Sequence, residues 1–224
     1  MPKLSTRNLA ALPDIDRLKA LLQSLAVLDA IMSPEWDYRY YSFNANWYEN
    51  EQMGSMRNGC GDEFYAHFTD VGCFLKGFAH EYPMTPYRNN PPELWPGLLE
   101  GVPSEFSSGV NEPAFSMENT TVCVWRKYGD ESWAHGPIDF PEGEDPDGSA
   151  FLFHKLDGDP EKYRFFAEQY YEEVIPIEAV RHIYDHLPLT DEIVASLNPD
   201  VRLDELAEDL AAIGYPLTRT GNET

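Results

Sequence analysis

The side chains best suited to acid–base chemistry are concentrated between residues 57 and 81. Carboxylates and histidines in this stretch can act as general acids or bases, and a guanidinium can hold an anionic group. In a catalytic interpretation, Glu63 or His80 is the general base and Arg57 binds the substrate. The full candidate polar cluster consists of Arg57, Asp62, Glu63, His67, His80 and Glu81.

A structural interpretation of the same residues is favoured over the catalytic one. Residues 57–63 have the composition of a polar hairpin turn, in which Asp62 hydrogen-bonds its own backbone and Arg57 pairs across the strands with Glu63. The glycines do not complete a phosphate-binding loop, because Phe64 stands where GxGxxG requires its third glycine. No G-x-S-x-G, P-loop or H-E-x-x-H pattern occurs elsewhere.

His182 and His186 are the best candidates for metal ligands, although the pattern is weak. A spacing of four residues would place both imidazoles on one helix face, in an order that imitates H-x-x-E-H with Asp for Glu. The Asp side chain is one methylene shorter than the Glu of that pattern. Further along the chain, only Glu205 and Glu208 are candidates for a third ligand, and neither is an obvious one. A helix C-terminus just before Pro188 also favours histidine through the helix dipole. We therefore expect no metal and no other cofactor.

Acidic residues dominate the charge of the chain: 39 Asp and Glu face 16 Lys and Arg, a formal net charge of −23. This balance argues against nucleic acid or an anionic membrane as a partner. Residues 129–224 alone hold a net charge of −17. The charge either keeps the protein in solution or forms a docking face for a basic partner, which it would attract at long range. The candidate acidic binding face lies off the apolar stripe of the last helix and consists of Asp204, Glu205, Glu208 and Asp209.

An N-terminal helix and a mostly antiparallel sheet are expected to position these side chains. Apolar residues recur at three- and four-residue spacing from Asp14, the expected N-cap, to Ile31, which predicts a helix. The aromatic run from Trp36 to Trp47 predicts a strand that is buried or half-buried on each face. This strand would join a three-stranded meander, whose segments 52–57, 63–68 and 73–79 are separated by turn residues.

The remaining residues are expected to cover the sheet and then to form helices. Seven prolines between residues 83 and 113 predict a long connection with short helical turns, packed on the sheet through its aromatic residues. Alternation from Thr120 to Tyr128 predicts another strand, followed by one near Trp133. We expect a single α+β domain over residues 1–224, mainly sheet in 1–156 and mainly helical in 157–222. Helix starts are indicated at Asp159-Pro160, Pro176, Thr190 and Leu203.

The chain opens without an apolar targeting segment, and its three cysteines are too few for a disulfide framework. The most apolar stretch, Leu18–Met32, is short for a membrane span and contains Lys19 and Asp29. These features predict a cytoplasmic protein without a membrane partner.

Several segments resemble a set of uncharacterised bacterial proteins to which no activity is assigned. The resemblance covers most of the chain but implies no functional residue. In general character, as a small acidic cytoplasmic α+β protein, the chain is also similar to the immunity proteins of bacterial toxin systems, with which it shares no motif. The segments that carry the first resemblance are residues 36–43, 55–59, 61–63, 76–78, 80–81, 197–199 and 213–216.

Two functions are compatible with these observations. The first is a non-catalytic protein-binding module, immunity-like, whose acidic surface recognises a basic protein; the many Tyr and Trp residues suit an interface. The alternative is a small-molecule-binding protein or enzyme. A concave pocket where three of its side chains converge would favour the alternative, and a flat acidic face with exposed aromatic residues would favour the binding module. The pocket of the alternative would be lined by Arg57, Glu63, His67, His80 and Glu81. The oligomeric state is not predicted.

Overall fold

One long helix, a six-stranded antiparallel sheet and a series of short helices follow one another along the chain, which confirms the predicted α+β class. The structure, a computed structural model, describes residues 3–216. Helix α1 (Ile15–Met32) begins as predicted, because the Asp14 carboxylate accepts the backbone N–H of Arg17 at 2.9 Å. Within the described residues, no helix has both the length and the apolar character that crossing a membrane requires.

The sheet follows chain order, and each pair of neighbouring strands is antiparallel. The predicted meander, the aromatic strand beside it and the strand after residue 120 are therefore confirmed. The strands are β1 (Tyr41–Tyr48), β2 (Glu51–Arg57), β3 (Glu63–Phe68), β4 (Gly72–Phe78), β5 (Val122–Lys127) and β6 (Ala134–His135).

The aromatic strand is shorter than predicted, because residues 36–38 form a 3-10 turn and β1 starts only at Tyr41. The Arg39 side chain holds residues 33–38 in this turn, because it bonds two carbonyls that precede it. Its Nε donates to the carbonyl of Ser33 at 2.8 Å and its Nη2 donates to the carbonyl of Pro34 at 3.0 Å. Trp36 and Tyr38 consequently lie in solvent instead of in the sheet.

The two faces of the sheet are covered by different parts of the chain. Phe64, Leu75 and Val124 point from one face into the main core, which they share with α1 and the C-terminal helices. Phe74 and Trp125 point from the other face into a second core formed with the proline-rich connection. The connection therefore packs over the sheet as predicted.

Short helices make up the rest of the structure, and their ends follow the predicted signals. Asp159 and Thr190 cap helices with their side-chain oxygens, and Gly214 takes the left-handed conformation (φ 71°) that ends the last helix. The helices are α2 (Ser107–Val110), α3 (Ser149–Leu152), α4 (Pro160–Tyr170), α5 (Ile177–Tyr184), α6 (Asp191–Leu197) and α7 (Ala207–Ile213). The 3-10 turns are Leu9–Ala11, Trp36–Tyr38, Pro86–Arg88, Ser104–Phe106, Pro113–Phe115 and Leu203–Leu206.

Buried polar side chains of α1 hold the later helices and the first strand in place. Ser24 donates to the carbonyl of Ile183 at the end of α5 (2.8 Å), and Gln23 donates to that of Ile213 at the end of α7 (2.9 Å). These bonds satisfy carbonyls that a helix C-terminus leaves without a partner. They fix α5 and α7 against α1.

The carboxylate of Asp29, which is fully buried, joins α1 to the start of β1. It accepts the backbone N–H of Tyr41 at 2.6 Å and the hydroxyl of Tyr163 at 2.7 Å. Burial raises the pKa of Asp29 to about 6, and the hydrogen bonds from Tyr41 and Tyr163 only partly oppose that rise.

Candidate functional site

The six residues of the candidate polar cluster do not converge on one point, because they take part in different contacts. Glu63 accepts hydrogen bonds from Lys76 and Tyr65. The His67 ring is hydrogen-bonded to Glu51, and the His80 ring is hydrogen-bonded to Asp62. Arg57 takes part in none of these ion pairs.

Glu63 belongs to a buried ion pair on the sheet face that the proline-rich connection covers. Its Oε1 accepts from Nζ of Lys76 and its Oε2 from the hydroxyl of Tyr65, both at 3.0 Å. The Lys76 side chain is fully buried, and this burial lowers its pKa. Burial, followed by the nearby Glu63 charge, raises the pKa of Tyr65 to about 12. The arrangement neutralises charge within the fold.

The predicted pairing of Arg57 with Glu63 is wrong, although the two residues lie opposite each other in the strand register. Lys76 on the next strand takes the carboxylate instead. The Arg57 guanidinium lies over the ring of Trp36, 4.2 Å from its centroid, in a cation–π contact. Arg57 therefore packs against the turn before β1 instead of pairing with Glu63.

His67 is buried beneath the proline-rich connection. Its Nε2 lies 2.9 Å from Oε2 of Glu51, and its ring meets Phe115 edge-on with the centroids 5.7 Å apart. Its Nδ1 has no hydrogen-bond partner among the described residues. The contact with Glu51 fastens β3 to the start of β2.

His80 is the cluster residue whose surroundings come closest to those of a general base. Asp62 Oδ1 accepts both the backbone N–H of His80 (3.0 Å) and its Nδ1 (2.9 Å), which orients the ring. The exposed Glu81 carboxylate lies 3.8 Å from its Nε2. The prediction that Asp62 bonds its own backbone is wrong, since the Asp62 N–H donates to Asn58 Oδ1 instead.

His182 and His186 do not share a helix face, contrary to the expectation behind the metal hypothesis. Helix α5 ends at Tyr184, and His186 has a left-handed backbone (φ 54°). His182 Nε2 donates to the carbonyl of Pro188 (2.8 Å) and His186 Nε2 to that of Ala20 (2.7 Å). Across residues 3–216, no three His, Cys, Asp or Glu side chains are grouped as a metal site.

The candidate acidic face lies on α7 and the 3-10 turn before it. Glu205 and Glu208 are exposed, and Asp204 forms a surface ion pair with Arg202. Asp209 is different, because its two carboxylate oxygens accept from Nη1 and Nη2 of Arg39 at 2.6 and 2.8 Å. This bidentate pair ties α7 to the turn that carries Trp36 and Tyr38.

A groove of about 250 Å³, which we call the β1 groove, lies between β1 and α7. Trp36 and Trp47 line it together with apolar residues of both elements. Beside it, Trp36 is 51% and Tyr38 64% exposed, and the hydroxyl of Tyr170 donates to the Tyr38 carbonyl (3.3 Å). We define the acidic–aromatic face as Trp36, Tyr38, Tyr170, Glu205, Glu208 and Asp209.

Comparison with known proteins finds no match to this chain among protein-family models, curated proteins or solved structures. The evidence for function therefore lies in the geometry of the candidate sites.

Sequence reasoning missed Lys76, Glu51 and the aromatic walls of the β1 groove. Strand alternation could have indicated Lys76, because it places this lysine between Phe74 and Phe78 on one face of β4. No comparable signal existed for Trp36 and Trp47, whose spacing suggested one continuous strand.

Proposed function

We propose that this chain is a non-catalytic, cytoplasmic protein-binding module that recognises a basic protein, in the manner of an immunity protein. The observation that carries the proposal is the acidic–aromatic face. It combines exposed aromatic side chains with the exposed carboxylates of Glu205 and Glu208, which lie about one helical turn from the groove-lining residues Asp209 and Ala212. The net charge of −23 gives any basic protein a long-range attraction to this chain.

The two kinds of residue in this face would act differently on binding. Exposed Trp and Tyr supply apolar contact area at low entropic cost, and such residues commonly dominate the binding energy of interfaces. Carboxylates such as Glu205 and Glu208 would mainly raise the association rate and discourage acidic partners. Asp209 is already paired with Arg39, so its role would be to hold the face together.

The alternative function, a small-molecule-binding protein or enzyme, has one observation in its favour. Asp62 fixes the His80 ring through Nδ1 and leaves Nε2 near Glu81, an orientation that suits a general base. Arg57, Glu63 and His67 take part in other contacts, so the substrate-binding part of that hypothesis lacks support from the geometry.

Affinity capture from the native host, followed by calorimetry with the captured protein, tests the proposal. The double variant Glu205→Gln/Glu208→Gln is compared with Glu142→Gln/Glu144→Gln, which removes the same charge from the exposed loop held by Arg7. We expect a basic partner whose affinity falls at least tenfold for the first variant and less than twofold for the second. Equal losses for both variants, or an acidic partner, would contradict the proposal.

A further inference from the structure

Strand β1 forms one edge of the sheet, and part of its backbone faces away from β2. The Arg57 N–H donates to the Tyr40 carbonyl (2.9 Å), so residue 40 directs its backbone groups toward β2. Hydrogen-bonding direction alternates along an antiparallel strand, so Tyr41 and Phe43 direct theirs outward. The bond from the Tyr41 N–H to Asp29 agrees with this direction.

The outward-facing backbone of β1 borders the β1 groove. Tyr41 and Phe43 line the groove on the strand side, while Ala212 and Ile213 line it on the α7 side. Small-molecule sites generally measure about 300–1,000 Å³. This groove is smaller, at about 250 Å³. Its lining follows the strand from Tyr41 to Trp47, which suits the side chains of an extended peptide better than a compact ligand.

Charges around the β1 groove select the kind of peptide. Glu208 lies one helical turn before Ala212, and Glu35 and Asp37 flank Trp36; all three carboxylates are exposed. Arg39, the cation that lines the groove, is bound by Asp209. Arg57 already lies over the Trp36 ring, 4.2 Å from its centroid. The exposed carboxylates around the groove are complementary to Lys and Arg.

We propose that β1 takes up an extended, basic segment of the partner protein as an additional strand of the sheet. The outward N–H and C=O of Phe43 would pair with the backbone of this segment, and its cationic side chains would lie against the exposed carboxylates of Glu35, Asp37 and Glu208. The inference rests on the proposed function and adds the mode of binding. A second copy of this chain is a poor occupant, because each chain has a net charge of −23.

A designed peptide tests this mode directly with the full-length chain. The probe is a fluorescent octapeptide of alternating Lys or Arg and Val. The control peptide has the same sequence, but alternate backbone amides are N-methylated. These amides all lie on one edge of the extended peptide, so that edge can no longer donate hydrogen bonds to β1. We expect fluorescence anisotropy to show binding at least tenfold weaker for the methylated peptide. Saturating probe should also slow hydrogen exchange at the Phe43 amide. No binding at 1 mM, or no slowing at Phe43, would overturn the inference.

Two α7 variants separate this inference from the proposed function. Ala212→Trp should fill the groove, whereas Ala211→Trp adds the same side chain at an exposed neighbouring position outside it. We expect Ala212→Trp alone to abolish binding of the probe and of the captured partner. If Ala212→Trp keeps the partner while Glu205→Gln/Glu208→Gln loses it, strand addition is wrong and the protein-binding function stands.

Other occupants of the groove give different results. Protection of the Phe43 amide that rises with protein concentration, without peptide, would assign the edge to a second copy and overturn the inference. Probe binding that appears only after residues 217–224 are deleted would assign the groove to the chain's own terminus, which would also overturn it.

Discussion

The meander of β2 to β4 and the acidic–aromatic face both carry many charged side chains, but they differ in how those charges are matched. In the meander, the Glu63 carboxylate has a cationic partner, Lys76, and the Asp62 carboxylate accepts hydrogen bonds from the backbone and ring of His80. On α7 and the turn before it, Asp209 and Asp204 are paired with arginines, whereas the exposed carboxylates of Glu205 and Glu208 have no ion-pair partner among the described residues. Charge matched inside the fold serves stability, whereas unmatched charge beside apolar surface suits recognition. The density of ionisable residues in a sequence is therefore a poor guide to the functional surface.

The largest effect is expected in the meander, from Glu63→Gln. This change leaves the buried Lys76 without its counter-charge, and breaking one partner of a buried pair costs about 3–5 kcal/mol. Because Glu63 is partly exposed, we expect a loss of about 3 kcal/mol in the free energy of unfolding, measured with urea. Glu81→Gln, at a side chain that is 84% exposed, is the matched control and should change stability by less than about 0.5 kcal/mol. Similar values for both variants would mean that the Glu63–Lys76 pair does not stabilise the fold.

The free energy of unfolding is expected to depend on pH through Asp29 of α1, whose carboxylate bonds the start of β1. Its pKa is about 6 in the folded chain and 3.8 in the unfolded one, so the folded state holds the proton more tightly. The stabilisation due to this proton is complete below pH 3.8 and is lost as the pH rises through 6. Integrated over that window, the loss is about 3 kcal/mol at most, and water penetration would reduce it to about 2 kcal/mol.

Asp29→Asn isolates this contribution, because the amide oxygen can still accept the Tyr41 N–H and has no charge to titrate. We expect the stability difference between the variant and the native chain to change by about 2 kcal/mol between pH 4 and 7, in favour of the variant at pH 7. Urea denaturation at several pH values measures it. A constant difference would show that Asp29 does not titrate in this range.

A smaller effect is expected from the pair that joins α7 to the Trp36 turn. Asp209→Asn weakens a bidentate, partly buried contact with Arg39 and should cost about 1–2 kcal/mol in the free energy of unfolding. Asp204→Asn removes a fully exposed pair with Arg202, which water screens, and should leave the free energy of unfolding nearly unchanged. Equal costs would show that burial does not distinguish the two aspartates.

The smallest effect is expected from added zinc. His182 and His186 each bond a different backbone carbonyl, so neither ring is arranged to bind a shared metal ion. A stoichiometric excess of Zn²⁺ should leave Tm unchanged within about 1 °C by calorimetry, because binding to the folded state is what would raise Tm. A rise in Tm that disappears in His182→Gln would restore the metal hypothesis.

The elements whose signals are local could be predicted from the sequence. Asp14, Asp159 and Thr190 cap helices as expected, because each bonds a backbone N–H only two or three residues away. Hairpin turns have the same local origin. The meander was therefore predicted almost to its boundaries. The last helix was predicted correctly at its end, Ile213, but residues 203–206, expected as its start, form a 3-10 turn.

Features that depend on distant contacts could not be predicted. Arg39 shortens the aromatic strand by binding carbonyls, and it then binds Asp209, 170 residues further along the chain. The partner of Glu63 depends on which strand lies beside β3, so Lys76 was missed and Arg57 was wrongly chosen. The acidic residues of the candidate face could be identified by type, but their position beside Trp36 required the tertiary structure.

The two-residue length of β6 has a consequence for assembly. Within residues 3–216 the sheet ends on one side at the eight-residue β1 and on the other at β6, which offers almost no backbone for pairing. With one long open edge per sheet, copies of this chain cannot add to one another in a continuous row. Growth into fibres requires an open strand at both edges of the sheet. The short β6 therefore protects the sheet against continued edge-to-edge association.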